Sequence, residues 1–168
     1  DLLDTATGAQ SAPIIPADCQ GWPEASQILK DAIADKLPTL VYGDYDVDGI
    51  TGVSILWQLF TLLGAEVDYY IPHRIDEGYG LNLDAVSSLA ELGTRVLLTV
   101  DCGITACEAA DLAQQLGMDL IITDHHTPGA VAPEAAAIVH PAVGEGYPNW
   151  DLCGAGVAFK LAWAIAQE

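Results

Sequence analysis

Two hydrophobic patterns alternate along the chain from about residue 39 onward: short continuous apolar runs, and longer stretches whose apolar residues recur with a helical period. Continuous apolar runs are typical of strands that helices cover on both faces. We therefore predict strands at residues 39–43, 66–72, 95–100 and 119–123, with a short fifth strand at 136–140.

The longer stretches predict helices, and their ends carry the residues that helix ends favour. The predicted helices cover residues 22–35, 49–64, 83–93, 105–117 and 156–167. Pro23 falls in the first turn of the first helix, and Asn82 is suited to cap the third helix at its N-terminus. Glycines close three of the helices, as expected at helix C-termini, at Gly64, Gly93 and Gly117.

This alternation predicts an α/β fold with a parallel, Rossmann-like sheet of about five strands and helices on both faces. Residues 1–22 contain proline, alanine and serine without a firm period, so we expect an extended lead-in followed by a domain over residues 23–168. The sequence starts with aspartate and stops inside an apolar helical pattern, "AIAQE". We therefore expect a piece of a longer protein, truncated at its C-terminus.

Polar side chains follow three of the predicted strands at the points where the strands end. They are Asp44, Asp46 and Asp48 after the first strand, Asp101 after the third, and Asp124, His125 and His126 after the fourth. The carboxyl ends of parallel strands meet at one edge of the sheet, where ligands bind in open α/β folds. Three separate segments are thus expected to deliver carboxylates and imidazoles to one crevice.

The aspartate triplet also matches the first half of an EF-hand calcium loop, D-x-D-x-D-G. That interpretation fails, because the bidentate glutamate required at the twelfth position is replaced by Ile55 and the preceding segment is strand-like. A well-solvated turn without an ion remains the alternative for the triplet alone. The arrival of Asp101 and the D-H-H cluster at the same edge favours a metal site.

Carboxylates and imidazoles without a thiolate suit Mn²⁺ or Mg²⁺ better than structural zinc. Two divalent ions about 3.5–4 Å apart would use this many ligand atoms. Such a pair activates water and holds a phosphoryl oxygen, which are the two requirements of phosphoester hydrolysis.

The charge of the chain limits the choice of partners. Its 24 acidic residues against five basic ones give a formal charge of −19, which opposes nucleic acid unless cations or another domain intervene. The charge fits a metal site or adaptation to high salt.

No stretch reaches the roughly 20 apolar residues of a membrane span. The four cysteines form no C-x-x-C pair, so we expect reduced, mostly buried thiols in a cytoplasmic protein.

Three segments, "GDYDVDG", "TVDCGIT" and "TDHH", resemble in this order the motifs of the DHH phosphoesterase superfamily. Two more, "IPHRIDEGYGLN" and "LCGAGVAFKLAWAI", narrow the likeness to the RecJ exonucleases, which are specific for single strands. The resemblance covers about residues 22–168. It implies a Mn²⁺- or Mg²⁺-dependent 5′-to-3′ exonuclease that acts on single-stranded DNA in recombination and repair, with two ions in the complete enzyme.

The resemblance also assigns roles to residues of this chain. The positions that match metal ligands are Asp46, Asp48, Asp101 and His125. Asp44 belongs to the same acidic motif and is expected to contact a metal ion or its water. His126 matches the histidine that contacts the scissile phosphate. Asp124 is expected to orient the histidines rather than bind an ion directly.

The chain departs from the family pattern at two positions: Tyr42 stands where many members have a histidine ligand, and His140 where asparagine is common. The family also has a further metal-binding aspartate and later DHHA1-type and DNA-binding domains. We expect these beyond residue 168.

Four residues are candidates for substrate binding, each with a structural alternative. Arg74 either contacts a substrate phosphate or pairs with an acidic neighbour in its loop. Tyr79 either stacks on a base or holds the loop against the core. Gly154 and Gly156 open the last helix, and they either present amides to a phosphate or permit close helix packing.

Two other functions remain as alternatives to the exonuclease. One is a phosphodiesterase of the same superfamily that acts on oligoribonucleotides or cyclic dinucleotides. The other is a catalytically silent replication scaffold, which the retained ligand residues disfavour. Single-stranded DNA is the expected partner of the full-length protein. The sequence does not indicate whether a single-strand-binding protein or a helicase joins it.

Overall fold

The structure, a computed structural model, describes residues 21–73, 78–144, 147 and 149–167. Its strands in these ranges are β1 (Thr39–Gly43), β2 (Val67–Tyr70), β3 (Val96–Val100), β4 (Asp119–Thr123) and β5 (Ala137–Val139). The helices are α1 (Trp22–Ala34), α2 (Val47–Leu62), α3 (Leu83–Glu91), α4 (Cys107–Gln115) and α5 (Gly154–Ala166). Nearly all of the predicted lead-in, residues 1–22, lies outside the described residues.

The strands form one parallel sheet in the order β2-β1-β3-β4-β5. The order of addition reverses at β1, because β2 lies on one side of it and β3 on the other. The crevice between the carboxyl ends of β1 and β3 is therefore the topological switch point, where open α/β sheets bind ligands. Asp44 and Asp101 directly follow these two strands.

Helices cover both faces of the sheet, which confirms the predicted fold class. Successive residues of a strand point to opposite faces of the sheet, so each strand contributes side chains to two separate cores. On one face α1, α2 and α5 pack against a core that includes Val41, Leu98 and Ile121. On the other face α3 and α4 pack against a core that includes Leu97 and Ile122.

Small residues bring α5 close to α2 and thereby to the switch point. A β-carbon at Gly52 of α2 would lie 2.6 Å from Cγ1 of Val100 and 3.2 Å from the β-carbon of Ala158 in α5. Contacts under 3 Å force a neighbour to shift, so glycine permits this helix crossing. As a result, the N-terminus of α5 points at the loops that follow β1 and β3.

Two expectations about the whole chain can be compared with the described part of it. None of the helices there has both the length and the hydropathy needed to cross a membrane. The described cysteines are free, but the prediction of mostly buried thiols is wrong. Cys102 is buried, Cys107 is half-buried and Cys153 is exposed, because Cys153 lies in the loop that starts α5 rather than in a core.

Candidate metal centre

The three aspartates after β1 have three different environments. Asp44 is 3% exposed, whereas Asp46 lies at the surface as the N-cap of α2. Oδ1 of Asp46 accepts hydrogen bonds from the amides of Asp48, at 2.8 Å, and Gly49, at 3.0 Å. A β-carbon at Gly49 would lie 2.6 Å from the carbonyl oxygen of Asp44, so only glycine lets the chain turn this tightly. Part of the acidic motif therefore shapes the loop itself.

Asp101 is the most constrained carboxylate of the site. It follows β3 with a positive φ of 63° and is 1% exposed. Neither of its oxygens accepts a hydrogen bond from the described residues, although Nε2 of His125 lies 3.1 Å from Oδ1. Burial, followed by the charges of Asp48 and Asp46, raises the pKa of Asp101 to about 7. A buried carboxylate of this kind lacks a compensating positive charge.

Asp48 is held by the N-terminus of α5. Its Oδ2 accepts from the amide of Gly154 at 2.7 Å, and its Oδ1 accepts from the amide of Ala155 at 2.8 Å. Burial raises the pKa of Asp48, but the hydrogen bonds from Ala155 and Gly154 and contributions from Cys153 and His125 outweigh it, so that the pKa is lowered. Asp48 is thus fixed as a carboxylate beside the ring of His125.

Asp124 is a buried hydrogen-bond centre for the loop after β4. Its Oδ1 accepts from the amides of His125 and His126, at 2.7 and 3.1 Å, and its Oδ2 accepts from the amide of Ile104 at 2.9 Å. Oδ1 also lies 2.7 Å from Nδ1 of His126. These contacts support the predicted role of Asp124 in orienting the histidines.

The ring of His126 lies between three polar groups. Nδ1 is 2.7 Å from Asp124 and 3.8 Å from Oδ1 of Asp101, and the hydroxyl of Tyr79 is 3.2 Å from Nε2. Burial lowers the pKa of His126, but the hydrogen bond with Asp124 and the charges of Asp124 and Asp101 outweigh it, so that the pKa is raised. His126 therefore holds a proton more readily than an ordinary histidine.

Two sets of three residues place potential ligand atoms within 4.8 Å of one another. The sets are Asp44, Asp46 and Asp101, and Asp101, His125 and His126. Asp101 belongs to both sets. Asp48, a predicted ligand, belongs to neither set, although its Oδ2 lies 3.6 Å from Nε2 of His125.

The predicted substrate-binding residues have different environments in the structure. Arg74 lies outside the described residues. Tyr79 is exposed and its hydroxyl contacts His126. The amide of Gly154 binds Asp48, and a β-carbon at Gly156 would lie 2.7 Å from Cδ1 of Leu152, which favours the packing alternative for that glycine.

Sequence reasoning missed two contributors, Ile104 and Ala155, and noted a third, His140, only as a departure from the family pattern. Ile104 and Ala155 act through their backbone amides, and the identity of a residue does not predict such a contact. His140 follows β5, with Nε2 2.8 Å from the carbonyl oxygen of His126 and Nδ1 3.1 Å from the amide of Ala142. The ring must donate from Nε2 and accept at Nδ1, so it is neutral, and burial lowers its pKa. Its position at the carboxyl end of a strand was the available signal.

Residues 38–168 match the DHH family, N-terminal domain. The chain belongs to the DHH family. This agrees with the order of the strands and with the D-H-H cluster after β4.

Relatives of this DHH domain include a curated protein and solved structures. The chain is 47% identical over 154 residues to the single-stranded-DNA-specific exonuclease RecJ of Bacillus subtilis (strain 168), a match that covers 91% of this chain and 20% of that protein. A crystal structure of exonuclease RecJ bound to manganese is 40% identical, with a TM-score of 0.81, over 91% of this chain and 39% of that one. RecJ in complex with Mn²⁺ from Thermus thermophilus is 37% identical, with a TM-score of 0.79, over 91% of this chain and 22% of that one. The chain thus spans about a fifth of the curated relative's length.

The DHH site fits a divalent cation on the chemistry of its own residues. The oxygens of Asp101 are buried without a hydrogen-bond donor among the described residues, as expected of atoms that bind a cation. A β-carbon at Gly154 would overlap the Asp101 carboxylate, so a glycine keeps the space beside it open. Oxygen and imidazole donors without thiolate are those that Mn²⁺ accepts.

Proposed function

We propose that this chain is the catalytic DHH domain of a metal-dependent phosphodiesterase that releases nucleotides from the 5′ end of single-stranded DNA. The observation that carries the proposal is the buried carboxylate of Asp101, which belongs to both ligand sets at the switch point. The names of the relatives, which are single-stranded-DNA-specific exonucleases, support the choice of substrate.

Two Mn²⁺ or Mg²⁺ ions are the proposed cofactors. Their proposed ligands are Asp46, Asp48, Asp101 and His125, with Asp44 contacting an ion or its water. When bound, the ions activate water and stabilise the negative charge that develops on the phosphoryl group. Without bound cations, the acidic charge of the site would repel a phosphodiester.

The chain's own residues position the reacting groups. In the proposed hydrolysis, water adds to phosphorus and the bond to the 3′ oxygen of the terminal nucleotide breaks, which releases a 5′ nucleotide and leaves a 5′ phosphate on the strand. His126 directs Nε2 toward the phosphate, because Asp124 occupies Nδ1. Asp101 belongs to both ligand sets of the described residues, so its position fixes one set relative to the other.

The test is nucleotide release by the full-length gene product in Mn²⁺ at low salt. Single-stranded DNA, duplex DNA, dinucleotides and cyclic dinucleotides serve as parallel substrates. We expect 5′ nucleotides from single-stranded DNA only. Asp101→Asn should lower the rate of nucleotide release more than about 100-fold, which exceeds the effect of losing a residue that only contacts a metal ligand. Turnover confined to dinucleotides would replace the proposed substrate with a short one. No turnover of any substrate would reject catalysis and favour a scaffold.

Single-stranded DNA is the proposed partner, and we infer a cytoplasmic location from that substrate. The described surface and the formal charge of −19 provide little attraction for a polyanion. We therefore expect DNA affinity to depend on the bound ions and on regions beyond this chain in the full-length product.

A further inference from the structure

The chain turns sharply after β3, at Asp101 and Gly103. Asp101 has a φ of 63° and Gly103 a φ of 110°, so the backbone enters the left-handed region twice within three residues. Glycine adopts such angles readily, but a residue with a β-carbon keeps them only where its surroundings hold it there. The contacts around Asp101 must therefore include the groups that stabilise this conformation.

The carboxylate of Asp101 takes its direction from this backbone. Neither of its oxygens accepts a hydrogen bond from the described residues, although Nε2 of His125 lies 3.1 Å from Oδ1. A β-carbon at Gly154 would overlap the carboxylate, so glycine leaves that side of it without a supporting side chain. The φ angle decides where the β-carbon of Asp101 points, and hence which neighbouring groups its carboxylate reaches.

Two hydrogen bonds hold the backbone, one on each side of Asp101. On the amino side, the amide of Asp101 donates to the carbonyl oxygen of Thr123 at 2.9 Å, which extends the pairing of β3 with β4. On the carboxyl side, the hydroxyl of Thr99 donates to the carbonyl oxygen of Cys102 at 2.8 Å. This second bond joins a side chain of β3 to the turn and closes the turn around Asp101.

The surroundings of Thr99 fix its hydroxyl beneath the turn. Thr99 is 0% exposed, and its carbonyl oxygen accepts a hydrogen bond from the hydroxyl of Thr123 at 2.7 Å. A β-carbon at Gly103 would lie 3.0 Å from Oγ1 of Thr99, so the turn passes directly over the hydroxyl. Removing the hydroxyl alone would deprive the buried carbonyl oxygen of Cys102 of this donor, which is the costly way to lose a hydrogen bond.

We propose that the Thr99 hydroxyl is a positioning group that holds Asp101 in its left-handed conformation and thereby directs the carboxylate toward both ligand sets. Thr99 belongs to neither set, so it acts through Asp101. The inference rests on the proposed function for the bound ions, but not for the hydrogen bond itself. The alternative is a threonine that only packs within a strand, for which the β-branched shape suffices.

Titration of the full-length product with Mn²⁺ separates the two roles of Thr99. Thr99→Val keeps the shape and removes the hydroxyl, and we expect the Kd for Mn²⁺ to rise about 10- to 100-fold, the scale for a residue that orients a metal ligand. Thr99→Ser keeps the hydroxyl and should retain the wild-type affinity. Wild-type affinity in Thr99→Val would establish packing alone and overturn the proposal.

Thr39→Val is the matched control for the loss of a buried hydroxyl. Thr39 is 6% exposed, and its hydroxyl donates to the carbonyl oxygen of Leu37 at 3.0 Å. It starts β1, however, and so lies at the end of the sheet opposite the switch point. Thr39→Val should therefore leave the Kd for Mn²⁺ unchanged. An equal rise of the Kd in Thr39→Val and Thr99→Val would show a general loss of stability and overturn the proposal.

A crystal structure of the metal-free Thr99→Val product tests the backbone directly. We expect Asp101 to leave the left-handed region, and an unchanged φ would overturn the proposal even if Mn²⁺ binds more weakly. If Thr99→Val does not fold, Thr99→Ser and Thr99→Ala differ only in the hydroxyl, and equal Mn²⁺ affinities in that pair would overturn it.

The wild-type product separates this inference from the proposed function. Wild-type protein that binds Mn²⁺ through Asp101 but releases no nucleotide would reject the proposed function and retain the role of Thr99. Wild-type protein that binds no Mn²⁺ would overturn both.

Discussion

Asp101 combines a left-handed backbone conformation with a buried negative charge, and both features restrict its replacement. Aspartate and asparagine tolerate positive φ better than other residues that carry a β-carbon. Alanine at φ 63° would add a backbone cost of about 1 kcal/mol to whatever the lost carboxylate changes. Asparagine is therefore the informative substitution, since it removes the charge and keeps the backbone.

We predict that Asp101→Asn stabilises the metal-free chain while it abolishes metal binding. The pKa of Asp101 is raised to about 7, so removing this carboxylate removes the cost of burying its charge and relieves repulsion from Asp48 and Asp46. At pH 8 with a chelator, the free energy of unfolding should rise by about 1–3 kcal/mol, as pKa shifts of this kind convert. Denaturant titration measures this change. A variant less stable than the wild type would show that the carboxylate supports the fold rather than a cation.

At the scale of elements, α5 links the two strand-end loops. Its first two amides bind Asp48, and a β-carbon at its first residue, Gly154, would overlap the side chain of Asp101. A helix N-terminus favours negative charge, so the helix stabilises an acidic loop that would otherwise repel itself. Because these two amides already bind Asp48, the contacts favour the packing alternative for this helix N-terminus over phosphate binding.

Gly154→Ala should weaken Mn²⁺ binding by more than about tenfold, because its β-carbon would displace the Asp101 carboxylate. Isothermal titration with Mn²⁺ gives the affinity. Gly156→Ala is the matched control: it lies in the same helical turn, but its β-carbon meets the side chain of Leu152 instead. Equal Mn²⁺ affinities in the two variants would show that the space beside Asp101 has no role in binding.

The observed bounds of the strands and helices can be compared with those predicted from the sequence. The strands at 39–43 and 119–123 have the predicted bounds, because buried parallel strands are short continuous apolar runs. Two helices begin two residues earlier than predicted. Asp46 caps α2 so that it starts at Val47, and α5 starts at Gly154, whose amide binds a residue 106 positions away. Such long-range hydrogen bonds leave no local pattern.

The sequence predicts the side chains of the candidate site but not the backbone contacts that hold them. The aspartates and histidines that converge on the switch point follow from strand ends and topology. The amides of Ile104 and Ala155 and the carbonyl contact of His140 do not, because they depend on backbone geometry and on packing between distant segments. The roles of the individual ligands stay predictions.

At the scale of the whole molecule, the formal charge of −19 is the dominant feature. A large net charge of one sign destabilises a compact state through self-repulsion, and dissolved salt screens that repulsion over about 10 Å at 0.1 M. We predict that raising KCl from low to molar concentration increases the melting temperature of the metal-free chain. Calorimetry measures this, with sucrose as an uncharged control for solvent exclusion. A melting temperature that falls with KCl would show that attractive ion pairs outweigh the repulsion.

The strand-end residues at the switch point are proposed to bind divalent metal ions. Anomalous diffraction at the manganese edge, from crystals of the full-length product grown with Mn²⁺, tests this binding. We predict an anomalous peak in contact with Asp48, Asp101 and His125. Manganese found only elsewhere, with these three side chains free of metal, would show that the switch point is not the metal site.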